Sequence, residues 1–154
     1  MKRVVEAVNA VMSNIEKKDI MEVACGCGEF SLAASEYAKS IICIDLDDKR
    51  LIPEVRKSKR ICFKIMDAAN LKLIDESVDT VIFYNALAHI ASQLEGVLHE
   101  SMRVLRRNGT IIFVYSFSID KIFAENQLIP MLKNEKKEFS VVQHGNFDIL
   151  FINV

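Results

Sequence analysis

The chain has 154 residues, 51% of them hydrophobic, and a formal net charge of −1. That length predicts one domain, 1–154, with enough apolar residues for a sizeable core. No apolar run approaches the ~18 residues of a membrane span, which excludes a helical membrane protein. No basic tail suggests nucleic acid, and no secretory leader is read ahead of the first helix, so a cytoplasmic location is expected.

In chain order, Val4, Val5, Val8, Val11, Met12 and Ile15 form the apolar stripe of an N-terminal helix. Residues 19–24 read as a strand that runs into Cys25-Gly26-Cys27-Gly28. Phe30, Ala33, Ala34, Tyr37 and Ala38 then follow the i, i+3, i+4, i+7, i+8 template of a helix. A second strand, over 41–44, ends in Asp45-Leu46-Asp47. This is a strand, glycine turn, helix, strand, carboxylate unit. Glycines admit a close ligand, the helix start offers free N–H groups, and an acid ~20 residues on accepts ribose hydroxyls. The unit predicts a nucleoside-containing cofactor. Its small residues alternate as Ala24, Gly26 and Gly28, with Glu22 ahead and no glycine in the helix. A dinucleotide site wants G-x-G-x-x-G, so the spacing weighs against NAD.

The segment from 45 to 61 is short for a helix and loop, and Arg56, Lys57, Lys59 and Arg60 read as a solvated connector. A third strand leads to Asp67-Ala68, and a fourth, starting near Asp79, leads to Tyr84-Asn85. Leu94, Leu98, Met102 and Leu105 make a helix stripe. Arg106 and Arg107 suit its last turn, and Asn108-Gly109 reads as its stop. Residues 110–117 predict a strand buried on both faces. A helix follows from about 119 to 129, ended by Pro130. A hairpin over 139–142 and 147–153 turns at His144-Gly145-Asn146. Alternating strands and helices predict a parallel α/β sheet. The four cysteines show no C-x-x-C spacing, so neither metal nor disulfide is expected, and they read as small apolar residues.

The stretch Glu22-Val23-Ala24-Cys25-Gly26-Cys27-Gly28 resembles motif I of class I S-adenosylmethionine-dependent methyltransferases, (Asp/Glu)-x-Gly-x-Gly-x-Gly, with Ala24 at the first glycine. Later stretches around Asp67-Ala68, Tyr84-Asn85-Ala86-Leu87-Ala88-His89 and Asn108-Gly109 extend the resemblance to the type 11 methyltransferase domain. The resemblance covers residues 19–116. It implies a doubly wound, mostly parallel seven-stranded sheet with an antiparallel C-terminal hairpin strand, and S-adenosylmethionine as cofactor. It also implies roles. Glu22 and the backbone of Ala24, Cys25 and Gly26 would face the methionine end, and Gly28 would also bind the cofactor. Asp45 would take the ribose, with Leu46 on the adenine. Asp67 and Ala68 would meet the adenine edge, and Tyr84 and Asn85 would lie near the methyl group. His89 and Tyr115 are the catalytic candidates.

Asn85-Ala86-Leu87 departs from the Asn/Asp-Pro-Pro-aromatic motif of enzymes that methylate amide or base nitrogens. A small-molecule acceptor is therefore expected, with neither nucleic acid nor membrane as partner. Little is inserted to form a lid, so either the acceptor pocket is shallow, or a second copy, a protein partner or the substrate itself completes the site. The rival reading is a cofactor-binding or degenerate methyltransferase-like module serving a larger complex.

Overall fold

A computed structural model of the chain describes residues 2–154. Seven strands form one sheet in the order β3-β2-β1-β4-β5-β7-β6. The strands are β1 (Asp19–Val23), β2 (Ser40–Asp45), β3 (Ile61–Ile65), β4 (Val78–Tyr84), β5 (Leu105–Tyr115), β6 (Phe139–His144) and β7 (Phe147–Asn153). β1 to β5 pair in parallel, β7 pairs antiparallel with β5, and β6 pairs antiparallel with β7. Order reverses between β1 and β4, because β2 and β3 extend one way and β5 the other. Such a switch point opens a crevice at the carboxyl ends of the strands.

Apolar side chains alternate between two faces, and helices cover both. α1 (Lys2–Ala10), α2 (Glu29–Ala34) and α3 (Pro53–Lys57) lie over Cys43, Ile82, Ile112 and Phe147. On the other face α4 (Leu87–Ile90), α5 (Leu94–Val104), α6 (Ser118–Phe123) and α7 (Ile129–Asn134) lie over Met21, Phe83, Phe113 and Leu150. There the Phe83 and Phe113 rings stack with centroids 4.4 Å apart. Among the described residues no helix is long and apolar enough to cross a membrane.

Four local expectations change. First, α2 stops at Ala34 rather than continuing to Ala38, and Tyr37 is exposed. Ser35 turns its hydroxyl back onto the Leu32 carbonyl at 2.7 Å, and Arg60 donates to the Ser35, Glu36 and Ala38 carbonyls. Side-chain donors thus satisfy carbonyls that a longer helix would have used.

Second, Leu105 to Gly109 belong to β5, not to a helix end. Leu105 pairs with Val78, and the next pair is Thr80 with Thr110, so the intervening residues bulge. Arg106 in that bulge bridges Asp19 at 2.9 Å and Asp79 at 3.0 Å, which ties β5 to β1 and β4. A Cβ on Gly109 would stand 2.8 Å from the Arg106 carbonyl, so the bulge needs glycine there.

Third, Pro130 does not end a helix. The chain widens by a turn over Ala124–Leu128 and resumes as α7, with Pro130 in its first turn. A wide turn accommodates a ring that lacks an N–H and would meet the carbonyl four residues back. Fourth, His144 is the last residue of β6, and the hairpin turns on Gly145 and Asn146 alone, with Gly145 at φ +58°. That φ suits the first central position of a two-residue hairpin turn.

Candidate cofactor and acceptor site

β1 is buried along four of its five residues, so its carboxyl end delivers the β1–α2 loop at a fixed place beside β2 and β4. The loop is held by its own backbone and by Asp45. Cys25 N–H donates to the Ile44 carbonyl at 3.0 Å, and Gly26 N–H donates to Asp45 Oδ2 at 2.7 Å. The other Asp45 oxygen accepts from Leu46 N–H at 2.7 Å. An ionised carboxylate has about four acceptor positions. Asp45 therefore shapes the loop and keeps lone pairs for a ligand.

Above the switch point lies a cavity of about 550 Å³. It falls within the ~300–1,000 Å³ typical of small-molecule and cofactor sites. Ten residues singled out in the sequence line it: Ala24, Cys25, Gly26, Asp45, Leu46, Asp67, Ala68, Tyr84, Asn85 and His89. Asp67 caps its own turn by accepting from Ala69 N–H at 2.9 Å. Asn85 has φ +47°, and its Oδ1 accepts from Ser116 N–H at 2.9 Å, tying the end of β4 to the end of β5. Ala24 has φ +54°. The first glycine position of motif I is thus left-handed here, a conformation that glycine adopts without the steric cost an alanine bears.

Tyr84 packs its ring against Phe30 at 5.3 Å and Phe147 at 6.2 Å. Burial, with a smaller push from Glu29, raises its hydroxyl to about 12, so it stays protonated at neutral pH. A hydrogen bond with Cys43, together with burial, holds the Cys25 thiol above its usual range, and all four cysteines are free.

Three predicted site residues do not line the cavity. Tyr115 is 4% exposed in the core of β5, and burial followed by the nearby Asp148 raises it to about 12. Gly28 faces α3, where a Cβ would stand 2.7 Å from Val55 Cγ2. Glu22 is 1% exposed, and its Oε2 accepts from both the N–H and the hydroxyl of Ser31. The carboxyl expected at the methionine end instead engages the first turn of α2. The free N–H groups expected there are in part already used.

Glu22 carries a pH signature. Burial raises its carboxyl from 4.5 to about 8, against the opposing Ser31 bonds. The fold therefore favours the protonated form, and this contribution is complete below pH 4.5. It declines between about 4.5 and about 8 as the unfolded chain ionises first, and is absent above. At ~1.4 kcal/mol per pKa unit the span is on the order of several kcal/mol. Glu22→Gln keeps an acceptor for Ser31 and cannot ionise. We expect it to melt at least as high as wild type at pH 8.5 and to lose that advantage near pH 5. Parallel melting curves that never converge would show that Glu22 is not the titrating group.

The site also contains residues that sequence spacing does not reveal. Arg3 and Val4 from α1, Glu29, Arg50 and Phe117 are among its further lining residues. Buried Asp120 on α6 accepts from Ala88 N–H at 2.7 Å and so fixes the start of α4, which carries His89. Apart from Glu29, which directly follows motif I, these residues lie far from it in sequence and converge only through the tertiary fold.

Residues 21–113 match the family described as "Methyltransferase domain". A Mycolicibacterium smegmatis protein named "Probable S-adenosylmethionine-dependent methyltransferase" is 28% identical over 95 residues, 62% of this chain. The chain spans 37% of that protein's length. A solved S-adenosylmethionine-dependent methyltransferase from Aquifex aeolicus superposes with TM-score 0.78 at 15% identity, over 97% of this chain and 87% of the other. The PH0226 protein from Pyrococcus horikoshii OT3 superposes with TM-score 0.76 at 19% identity, over 99% and 89%. Sheet order, switch-point cavity and family match agree: the chain belongs to the methyltransferase domain family, whose cofactor is S-adenosylmethionine.

Proposed function

We propose that the chain is an S-adenosylmethionine-dependent methyltransferase that acts on a small-molecule acceptor by in-line displacement. One observation carries this reading. A single cavity joins the Ala24–Gly26 loop, Asp45 and Asp67 on one side to Asn85, His89 and Phe117 on the other. Cofactor and acceptor can therefore meet over the end of β4. The β2 and β3 ends, with Asp45 and Asp67, take the nucleoside, and Ala24, Cys25, Gly26 and Asn85 take the amino-acid portion.

The bound cofactor supplies a methyl group already activated by its sulfonium. The protein then contributes proximity and alignment, which in well-oriented reactions supply roughly 7–11 kcal/mol of a barrier. His89, exposed on α4 and lining the cavity, contacts the acceptor. Tyr115 has no part in this proposal, because it is buried and does not line the cavity.

A thermal-shift comparison tests the reading. Free ligand at ~100 times its dissociation constant stabilises the native state by about 2.7 kcal/mol. At about 2–4 °C per kcal/mol for a chain of this size, adenosylhomocysteine should raise the melting temperature by about 5–10 °C, and NAD should leave it unchanged. Labelled adenosylmethionine should then label a small molecule in a metabolite extract. A shift with NAD and none with adenosylhomocysteine would overturn the cofactor assignment. Cofactor binding without transfer, together with a stably copurifying partner, would favour a binding module.

A further inference from the structure

We propose that Arg3 is the acceptor's anion receptor, so that the substrate carries a carboxylate or phosphate beside a flat or apolar body. The inference rests on the methyltransferase reading above and names its substrate class.

Arg3 sits in the first turn of α1 and lines the cavity. Its guanidinium lies 5.9 Å from the Phe117 ring centroid and 6.0 Å from that of Phe147. Two aromatic faces position the planar cation, and among the described residues its edge donors make no hydrogen bond. Among the described residues it pairs with no carboxylate, although Arg103 and Arg106 each bind two. A guanidinium held in place without an anion matches the bidentate geometry of a carboxylate or phosphate.

Its position assigns it to the acceptor rather than to the cofactor. Phe117 follows β5, and Phe147 begins β7. Both lie beyond β4, away from the β2 and β3 ends that carry Asp45 and Asp67. The cavity's other cation, Arg50, stands on the opposite side, its guanidinium 3.4–3.6 Å from where a Gly26 Cβ would be. The cofactor loop therefore has a cation of its own. Phe117 is 50% exposed beside Arg3 and offers a stacking surface for the body of the acceptor. α1 is placed by burial of Val4, Ala7 and Val8, and by Glu6 lying over the hairpin glycine, Gly145. Arg3 itself can therefore be changed without disturbing the helix that carries it.

The test uses the full chain saturated with adenosylhomocysteine, with benzoate, phenyl phosphate and neutral benzamide as probes, each titrated by calorimetry or ligand-observed NMR. We expect benzoate or phenyl phosphate to bind at least ten-fold more tightly than benzamide, and the preferred anion identifies the acceptor group. Arg3→Ala should abolish that preference, Arg3→Lys should retain part of it, and adenosylhomocysteine affinity should be unchanged in both. Equal binding of anions and benzamide, or an anion preference that survives Arg3→Ala, would overturn the proposal. So would a loss of adenosylhomocysteine affinity in Arg3→Ala that methylthioadenosine, which lacks the carboxylate, does not share. That result would give Arg3 to the cofactor. Failure of adenosylhomocysteine to bind wild type at all would instead overturn the methyltransferase reading, and this inference with it.

Discussion

Asp45→Ala should weaken adenosylhomocysteine binding by roughly ten- to a hundred-fold. Charge-assisted hydrogen bonds contribute about 1.5–3 kcal/mol, and each ~1.4 kcal/mol is a factor of ten in affinity. A stability loss should accompany it, because the same carboxylate holds Gly26 N–H at 2.7 Å and Leu46 N–H at 2.7 Å. Leaving the half-buried Gly26 donor unpaired costs on the order of 1 kcal/mol, or a few degrees of melting temperature. Asp45→Asn separates the two roles. Its amide oxygen can still accept from Gly26, so stability should recover, whereas the lost charge keeps affinity below wild type. Calorimetry and melting curves on both variants decide the matter. Unchanged affinity in Asp45→Ala would remove Asp45 from the ribose, and an unchanged melting temperature would show that the loop does not depend on it.

The place of Asp45, beside the cavity and bonded to the β1–α2 loop, shows what the sequence could and could not convey. Spacing from the glycines to the acid put Asp45 at the end of β2, and strand-end logic put Asp67, Tyr84, Asn85 and His89 around the same crevice. Those inferences use only local order, which a parallel α/β sheet translates directly into position. Side-chain direction was not legible. Glu22 and Gly28 belong to the motif, yet Glu22 turns onto Ser31 and Gly28 onto Val55. Tyr115 ends β5 but is buried in the core on one face of the sheet.

Contacts distant in sequence were equally invisible. Arg3 reaches Phe117 and Phe147 only once α1 has docked. Arg106 reaches Asp19 across 87 positions. The bulge at Arg106–Gly109 looked like a helix stop because arginines and Asn-Gly serve both purposes. Pro130 looked like a terminus because the wide turn that accommodates it has no sequence signature.

Gly28→Ala should lower the melting temperature by about 2–18 °C with little direct effect on the cofactor. Gly28 has φ +81°, where an alanine pays roughly 1–2 kcal/mol. Its added Cβ would stand 2.7 Å from Val55 Cγ2 and 3.2 Å from Leu51 Cδ1. Both neighbours are buried, so relief requires α3 to shift, and overpacking of this kind costs about 1–3 kcal/mol. The stiffer unfolded chain returns only ~0.4–1 kcal/mol, and at ~2–4 °C per kcal/mol the net loss gives the stated range. Shortening the neighbour tests the cause. In a Val55→Ala background the steric part should vanish while the backbone part remains, so the two substitutions together should cost less than the sum of each alone. Strict additivity would show that the clash is not with Val55. If Gly28 instead lay against the cofactor, Gly28→Ala would show only the backbone part of the stability loss and would lose cofactor affinity. Melting curves without ligand, followed by calorimetry with adenosylhomocysteine well below the melting transition, separate a glycine kept for packing α2 against α3 from one kept for the ligand.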